Sequence, residues 1–349
     1  MTKSFPLRVA KINRETKKAV SIQFDVPQHL KEQFSFKPGQ YITFDASLNG
    51  QNLRRSYSIC SSPKSEELCV AVKEVENGTF STYANTQLKE GDILNVFPPE
   101  GRFILEADSQ NHKNYVAFAA GSGITPIMAI LKTVLEQEPQ SSFLLVYGNK
   151  SPQESIFLKQ LLDLQNKYSD RLFIELVFSQ AQEDNAQFGR ISNSIVNYFL
   201  KNKYKEFSFD AHYLCGPEAM INEVKENLLT NNVNDSAIFF ELFTSSEEET
   251  PIEVGDGMTQ LTIVLDDEES SFIVPQNKAV LDAALDEGID PPYSCQGGIC
   301  STCIARITEG KAEMRKNQIL TDAEIEEGLV LTCQALPKTA VLKVDYDDI

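Results

Sequence analysis

The sequence has 349 residues, 42% of them hydrophobic, and a formal net charge of −18 at pH 7. This length is too great for one ordinary hydrophobic core and predicts a globular protein of two or three domains. The charge argues against nucleic-acid binding, because neutralising phosphates requires clustered Lys and Arg. We see neither an N-terminal leader nor a run of about 18 apolar residues, so we expect a cytoplasmic protein that does not enter a membrane.

Residues 1–108 are predicted to form a small antiparallel β-barrel. Short alternating runs such as "LRVAKI", "QYITFDA" and "LCVAVKEV" are separated by turns that contain Pro or Gly. Within this segment, "LRRSYSICSSP" places Arg55 and Tyr57 on one face of a strand, with Ser58 beside them. A cation, an aromatic face and a hydroxyl could bind a phosphate, cover a flavin ring and hydrogen-bond its edge. Ordinary strand packing is the alternative.

A second motif in this segment is "VKEVENGTFSTY", in which Gly78 and Ser81 open a predicted helix. The start of a helix offers free N–H groups and the positive end of the helix dipole. Both suit an anionic diphosphate.

Residues 109–243 are predicted to form a doubly wound α/β domain with a parallel sheet. From Tyr115 onward, continuous apolar strands alternate with amphipathic helices. The turns "AAGSGITP" and "CGPEAM" each follow a strand and precede a helix, and we expect Thr125 to cap the first helix with Pro126 at its first position. Glycine-rich turns are common, and Cys215 could be a buried thiol, but the strand-turn-helix context favours a nucleotide site. The candidate residues are Gly121, Gly123, Thr125, Pro126, Cys215, Gly216 and Pro217.

Residues 244–258 are predicted to be a linker, and residues 259–349 a compact α+β unit. This unit contains Cys295-x4-Cys300-x2-Cys303-x29-Cys333, the spacing of plant-type [2Fe-2S] ferredoxins. The small residues between the first three cysteines let backbone N–H groups approach the cluster. A four-cysteine zinc site is the competing interpretation, although its ligands more often come as two C-x2-C pairs; four buried, unliganded cysteines are a second alternative.

The remaining cysteines, Cys60, Cys69 and Cys215, stand apart in the sequence. An odd total of seven in a reducing compartment argues against a disulfide scaffold.

In order and spacing, these motifs resemble the ferredoxin-NADP reductase superfamily followed by a plant-type ferredoxin domain of β-grasp fold. The resemblance implies FAD as the flavin. It assigns the flavin phosphate to Arg55, stacking on the isoalloxazine to Tyr57, the N5 edge to Ser58, the diphosphate to Gly78 and Ser81, and a position beside the nicotinamide to Cys215. Catalysis therefore falls to Tyr57, Ser58 and Cys215.

The nicotinamide nucleotide is expected to be NADPH, with NADH possible. Lys150, Ser179 and Arg190 follow strands at positions where a 2′-phosphate could bind, and "FSQAQ", residues 178–182, contains no acidic residue ahead of Glu183. Members of the superfamily frequently carry Arg where this chain has Lys150, and the two side chains are not equivalent at a phosphate site.

Relatives also place an acid or an aromatic residue near the flavin at the position of "FFELF". Packing of a final strand explains Glu241 and Phe243 equally well. We interpret His29, His112 and His212 as structural, because no partner acid accompanies them.

Four stretches, "LRRSYSIC", "AAGSGITP", "CGPEAM" and "TCQALP", resemble the reductase components of the phenylacetyl-CoA epoxidase systems of phenylacetate degradation. The resemblance implies electron flow from NAD(P)H through FAD and [2Fe-2S] to a multicomponent di-iron oxygenase. There are two alternatives. The same chemistry could serve a desaturase or a ring hydroxylase, or the chain could be a non-enzymatic iron-sulfur module. Residues 258–349 carry 17 acidic and 7 basic residues, so this region could dock on a basic partner or could simply be a solvated surface.

Overall fold

The computed structural model describes residues 3–48, 50–243 and 257–349. The chain divides into two compact units, one of residues 4–243 and a second that contains residues 257–349. The predicted linker lies outside the described residues as far as residue 256, and its last residue, Met258, already begins a strand. Within the described ranges, no helix combines the length and the apolar character needed to span a membrane.

The first sheet of the larger unit is the predicted antiparallel barrel. Its strands are β1 (Phe5–Thr16), β2 (Ala19–Asp25), β3 (Tyr41–Leu48), β4 (Gln51–Ser58), β5 (Leu68–Lys73) and β6 (Ile93–Val96), in the order β4-β3-β6-β1-β2-β5. An antiparallel bridge between Ile59 and Val70 joins the end of β4 to β5, which closes the sheet. Helix α1 (Thr79–Thr86) buries Phe80 and Ala84 in the barrel core.

The second sheet is parallel throughout and is the predicted doubly wound domain. Its strands are β7 (Asn114–Ala120), β8 (Ser142–Asn149), β9 (Leu172–Phe178), β10 (Ala186–Phe188), β11 (Ala211–Gly216) and β12 (Ile238–Leu242), in the order β10-β9-β8-β7-β11-β12. Its helices are α2 (Ile124–Gln137), α3 (Leu158–Lys167), α4 (Asn193–Asn197, continued as a π-helix over Tyr198–Lys203) and α5 (Glu218–Thr230). The strand order reverses beside β7, so the crevice where such sheets bind ligands lies between the carboxyl ends of β7 and β11.

Helix α2 begins two residues earlier than the sequence predicts. Gly123 occupies the N-cap position, so the prediction that Thr125 caps the helix and Pro126 follows at its first position is wrong. The reason is that Gly121–Gly123 already form a 3₁₀ turn that leads into the helix. The Thr125 hydroxyl donates to the Ser122 carbonyl oxygen (3.0 Å), and Pro126 is tolerated because first-turn N–H groups have no helical acceptor.

The second unit has the β-grasp arrangement. The strands β13 (Met258–Leu265), β14 (Glu268–Pro275), β15 (Ile304–Glu309), β17 (Leu329–Leu331) and β19 (Val341–Asp345) form a mixed sheet in the order β14-β13-β19-β15-β17, while β16 (Ala312–Met314) pairs with β18 (Ala335–Pro337). Helix α6 (Val280–Asp286) packs its apolar side on this sheet, and α7 (Asp322–Glu326) precedes β17. The cysteine loop runs between α6 and β15.

Candidate functional site

Strand β4 presents the predicted flavin-binding side chains. Arg55 is exposed, Tyr57 is half-buried and Ser58 is buried. The Tyr57 ring lies 5.6 Å from that of Phe80 and 5.8 Å from that of Phe44 (centroid distances). Burial raises the pKa of the Tyr57 hydroxyl far above its ordinary value, so this side chain stays neutral. Packing from behind and a neutral ring are the properties that a stacking surface for an aromatic cofactor needs.

The turn before α1 is adjacent to the aromatic surface around Tyr57, because Phe80, the second residue of α1, belongs to that surface. Gly78 is the N-cap residue of α1, and the Ser81 hydroxyl accepts the N–H of Val75 (3.2 Å) and donates to the Gly78 carbonyl oxygen (3.4 Å). A Cβ at position 78 would approach the Ser81 Oγ to 2.3 Å, so the tight turn requires glycine. The two predicted flavin motifs therefore meet, with a helix N-terminus available for a diphosphate.

The turns after β7 and β11 touch each other at the reversal of strand order. A Cβ on Gly123 would lie 2.1 Å from the Cys215 carbonyl oxygen, and Gly121 has a φ of +56°. Gly216, the next residue after Cys215, follows at the end of the same strand. Glycine at position 123 thus lets the two strand ends approach and creates one crevice from the two predicted nucleotide turns.

A buried polar cluster connects β4 with this crevice. The Ser58 hydroxyl donates to Oε2 of Glu241 (3.2 Å), and Glu241 is the Cα partner of Cys215 across β11 and β12. Burial raises the pKa of the Glu241 carboxyl to about 8. Burial, and then the nearby Glu241 charge, also raise the pKa of the Cys215 thiol. Both groups are therefore protonated at neutral pH, which keeps this part of the site uncharged.

Glu241 is the residue that sequence reasoning undervalued. Its signal was a single acid in an otherwise apolar final strand. Phe243, the other residue of that stretch, packs against the apolar core of the larger unit.

The candidate 2′-phosphate residues follow three neighbouring strands at the same sheet edge. Lys150 follows β8, and its carbonyl oxygen accepts the Gln180 N–H (2.9 Å) directly after Ser179. Arg190 follows β10. Just before it, the Gly189 N–H donates a hydrogen bond to the Phe178 carbonyl oxygen at the end of β9 (2.8 Å). Lys150 and Arg190 are exposed.

Lys73, at the end of β5, adds a cation that the sequence did not indicate. A Cβ on Gly121 would lie 3.6 Å from its ammonium nitrogen. Burial, together with the charges of Lys150 and Lys18, lowers the pKa of Lys73 against the opposing effect of Glu154. This edge of the crevice is therefore cationic and suits the phosphates of a nucleotide.

The four predicted cluster ligands of the second unit come together as two pairs. The Cys295 and Cys300 thiols hydrogen-bond to each other, and so do those of Cys303 and Cys333. In each pair this bond lowers the pKa of one thiol, Cys295 or Cys333, and raises that of the other. Over the described ranges, no three metal-ligating side chains surround a single point. Two pairs of sulfur donors fit a cluster in which each of two irons takes two protein ligands.

The loop backbone also fits an anionic cluster. The Gly297 N–H donates to Sγ of Cys295 (3.3 Å), the N–H groups of Ile299 and Cys300 bond the same sulfur, and that of Gly298 bonds Cys333. Gly298 has a φ of +70°, and a Cβ there would approach the Lys316 carbonyl oxygen to 2.7 Å. Backbone donors aimed at sulfur stabilise thiolates and reduced clusters.

Comparison with known protein families agrees with this geometry. The oxidoreductase FAD-binding domain matches residues 6–104, the oxidoreductase NAD-binding domain residues 118–226, and the 2Fe-2S iron-sulfur cluster binding domain residues 263–338. The chain therefore uses FAD, NAD(P)H and a [2Fe-2S] cluster.

Similar proteins match over almost the whole chain. A component of the 1,2-phenylacetyl-CoA epoxidase of Escherichia coli (strain K12) is 38% identical over 99% of this chain and 99% of its own length. The ferredoxin reductase component of 3-ketosteroid-9-alpha-monooxygenase of Rhodococcus rhodochrous is 32% identical over 99% of this chain and 97% of its own. The structure of phthalate dioxygenase reductase shares the fold, with a TM-score of 0.62 and 23% identity over 98% of both chains. The chain belongs to the family of NAD(P)H-dependent flavin and iron-sulfur oxidoreductases that are the reductase components of oxygenase systems.

Proposed function

We propose that this chain supplies electrons to a multicomponent oxygenase of the phenylacetyl-CoA epoxidase type, in the cytoplasm. The relative from the 1,2-phenylacetyl-CoA epoxidase of Escherichia coli supports this acceptor, because the similarity covers nearly all of both chains. Bound FAD would supply the conversion of a two-electron hydride into single electrons, and a bound [2Fe-2S] cluster would supply one-electron transfer. The observation that carries the internal electron transfer is the contact of Ser58 with Glu241 beside Cys215, since it joins the flavin strand to the nucleotide crevice; the choice of acceptor is carried by the similarity to the epoxidase component.

The roles of individual residues form part of the proposal. Arg55 binds the flavin phosphate, Tyr57 stacks on the isoalloxazine, and Ser58 hydrogen-bonds its N5 edge. The turn of Gly78 and Ser81 holds the diphosphate. The turns of the crevice position the nicotinamide nucleotide, with Cys215 beside the reacting ring; these turns comprise Gly121, Gly123, Thr125, Pro126, Gly216 and Pro217. Cys295, Cys300, Cys303 and Cys333 hold the cluster.

The proposal divides the chain into a flavin domain at 1–108, a nucleotide domain at 109–243, a linker at 244–258 and a ferredoxin domain at 259–349. This division is supported by the sheets, because each lies within one of the three domains except for Met258, the first residue of β13.

We expect Lys150→Gln and Arg190→Gln each to raise the KM for NADPH at least about tenfold while leaving the KM for NADH nearly unchanged. The reason is that a charged hydrogen bond to a phosphate contributes roughly 1.5–3 kcal/mol, and only NADPH carries the 2′-phosphate. The measurement is dye reduction with each nucleotide as donor. Lys113→Gln is the matched control, because this exposed lysine precedes β7 and lies at the opposite edge of the sheet. Equal changes for both nucleotides would refute the assignment.

The acceptor is tested by supplying purified oxygenase components and measuring product formation with NADPH. A phenylacetyl-CoA epoxidase oxygenase should turn over fastest, ahead of a desaturase or a ring hydroxylase. The rate should also fall as salt rises, because the acidic C-terminal region would attract a basic docking surface through a field that ions screen. Reduction of an uncharged quinone serves as the control and should not respond to salt. Faster turnover of a different component would reassign the acceptor.

A further inference from the structure

Two cysteines that stand apart in the sequence lie opposite each other in the barrel. Ile59 and Val70 are antiparallel partners, so Cys60 faces Cys69 one step further along. The Cys60 N–H donates to the Cys69 carbonyl oxygen (2.8 Å). Directly opposite residues of antiparallel strands have Cα atoms roughly 4.5–5.5 Å apart, within the roughly 4.4–6.8 Å that a disulfide spans.

The side chains of this pair lie close together. Both cysteines are free, the Cys60 thiol lies 3.3 Å from the Cys69 carbonyl oxygen, and the two side chains hydrogen-bond to each other. Because the strand register brings the two backbones within the range that a disulfide spans, forming a bond between the sulfurs requires chiefly rotation of the two side chains.

The pair is also accessible to a small reagent. Cys60 and Cys69 both line a cavity of about 810 Å³ on the larger unit, which Lys132 lines as well. Cys60 is 2% exposed and Cys69 is partly exposed, so a reagent in the cavity meets Cys69 first. The Lys132 ammonium donates to the Cys60 carbonyl oxygen (3.1 Å), which places a cation beside any thiolate that forms.

Reactivity of the pair should be slow at neutral pH. The hydrogen bond from Cys60 and burial raise the pKa of the Cys69 thiol well above its ordinary value, and Lys132 offsets this only in part. Because the thiolate is the nucleophile, the reaction should accelerate as pH rises.

We propose that Cys60 and Cys69 are a redox modification site. Exchange with a low-molecular-weight disulfide, such as oxidised glutathione, would join the two cysteines in a reversible intramolecular disulfide. One cysteine sulfur attacks the small disulfide, whose S–S bond breaks and releases one thiol. The second cysteine sulfur attacks the resulting mixed disulfide and releases the other thiol. Two protein thiols are oxidised, one small disulfide is reduced to two thiols, and the protons of the cysteines end on the released thiols.

The test uses the intact holoenzyme. It is incubated with excess oxidised glutathione at pH 8, alkylated, digested with trypsin and analysed by mass spectrometry. Cleavage after Arg55, Lys64 and Lys73 separates residues 56–64, which contain Cys60, from residues 65–73, which contain Cys69. We expect these two peptides as one cross-linked species, and dithiothreitol added before alkylation should return them as two alkylated peptides.

Cys69→Ser and Cys60→Ser are matched controls, and neither should give the cross-linked species. The proposal also predicts a higher melting temperature for the oxidised wild-type protein, because the bond restricts the unfolded chain. Recovery of the two wild-type peptides separately after long incubation, each alkylated or each carrying glutathione, would overturn the proposal whether or not the variants fold.

Discussion

Cys300→Ser should abolish electron delivery to cytochrome c while NADPH oxidation by dyes that accept from the flavin continues near the wild-type rate. Cys300 forms one of the two ligand pairs with Cys295. Serine offers a protonated oxygen in place of a soft thiolate, so half of one iron's protein ligands is lost. The fall should exceed the roughly 10–100-fold loss that follows removal of a hydrogen-bonding partner of a metal ligand.

Three measurements check this expectation on protein purified without oxygen: the visible absorption spectrum, the iron content, and the ratio of cytochrome c to dye reduction. Ser301→Ala is the matched control, because it changes the same loop without touching a proposed ligand. If Cys300→Ser retains full iron and full cytochrome c activity, the cysteine pairs do not hold the cluster. Wild-type protein that contains zinc in place of iron would favour the four-cysteine zinc interpretation.

The cluster site was predictable from the sequence because its ligands are concentrated locally. Three of the four cysteines lie within nine residues, so spacing alone constrains their geometry. The division into two pairs was not predictable, because it depends on how Gln296, with a φ of +53°, and Gly298 turn the loop back on itself.

The crevice of the larger unit was predictable only in its parts. Strand-turn-helix patterns located Gly123 and Cys215 separately, and the rule for doubly wound sheets placed both at carboxyl ends. The backbones of these two residues come so close that a Cβ on Gly123 would lie 2.1 Å from the Cys215 carbonyl oxygen. This is a tertiary contact, and sequence spacing does not encode it. The start of α2 was also placed incorrectly. Gly121–Gly123 form a 3₁₀ turn that continues into the helix, so Thr125 already lies within the helix and cannot be its N-cap.

Contacts between strands account for the remaining omissions. Ser58 and Glu241 are 183 positions apart, and Lys73 comes close to Gly121 through the approach of β5 to the turn after β7. Cys60 and Cys69 face each other because of strand register. Periodicity predicts which face of a strand is buried, but it does not determine which strands become neighbours.

Glu241→Gln should remove a pH dependence centred near pH 8 from the NADPH-driven reduction of the flavin. In the folded protein the pKa of this carboxyl is about 8, so the group is neutral at pH 7 and ionises as pH rises. The carboxylate would place negative charge beside the proposed flavin edge and hold the Ser58 hydroxyl more tightly. We therefore expect the rate in stopped-flow experiments to fall through about pH 8 in the wild type and to stay level in the variant.

The same shift has a consequence for stability with a definite sign. The pKa of Glu241 is about 8 in the folded protein and 4.5 for an unperturbed carboxyl. Between pH 4.5 and 8, the folded state therefore keeps a proton on this carboxyl that the unfolded state has lost. The wild-type protein should therefore lose stability relative to Glu241→Gln as pH rises from about 4.5 to 8, with no further change above. The shift sets an upper limit of about 5 kcal/mol at 1.36 kcal/mol per unit, and we expect roughly 1–3 kcal/mol because structural relaxation and water penetration reduce the cost of a buried charge.

Melting temperatures of the two proteins across this pH range measure the difference. Glu226→Gln, which removes an exposed carboxylate from α5, is the matched control and should follow the wild type in both the rate and the melting experiments. A Glu241→Gln variant that keeps the inflection near pH 8 would show that another group controls the reaction. If the melting temperatures of wild type and variant differ by the same amount at every pH, the Glu241 carboxyl ionises in the folded protein at its ordinary pKa. The cluster of Ser58, Glu241 and Cys215 would then be charged at neutral pH, which would contradict its assignment as an uncharged connection between the flavin strand and the nucleotide crevice.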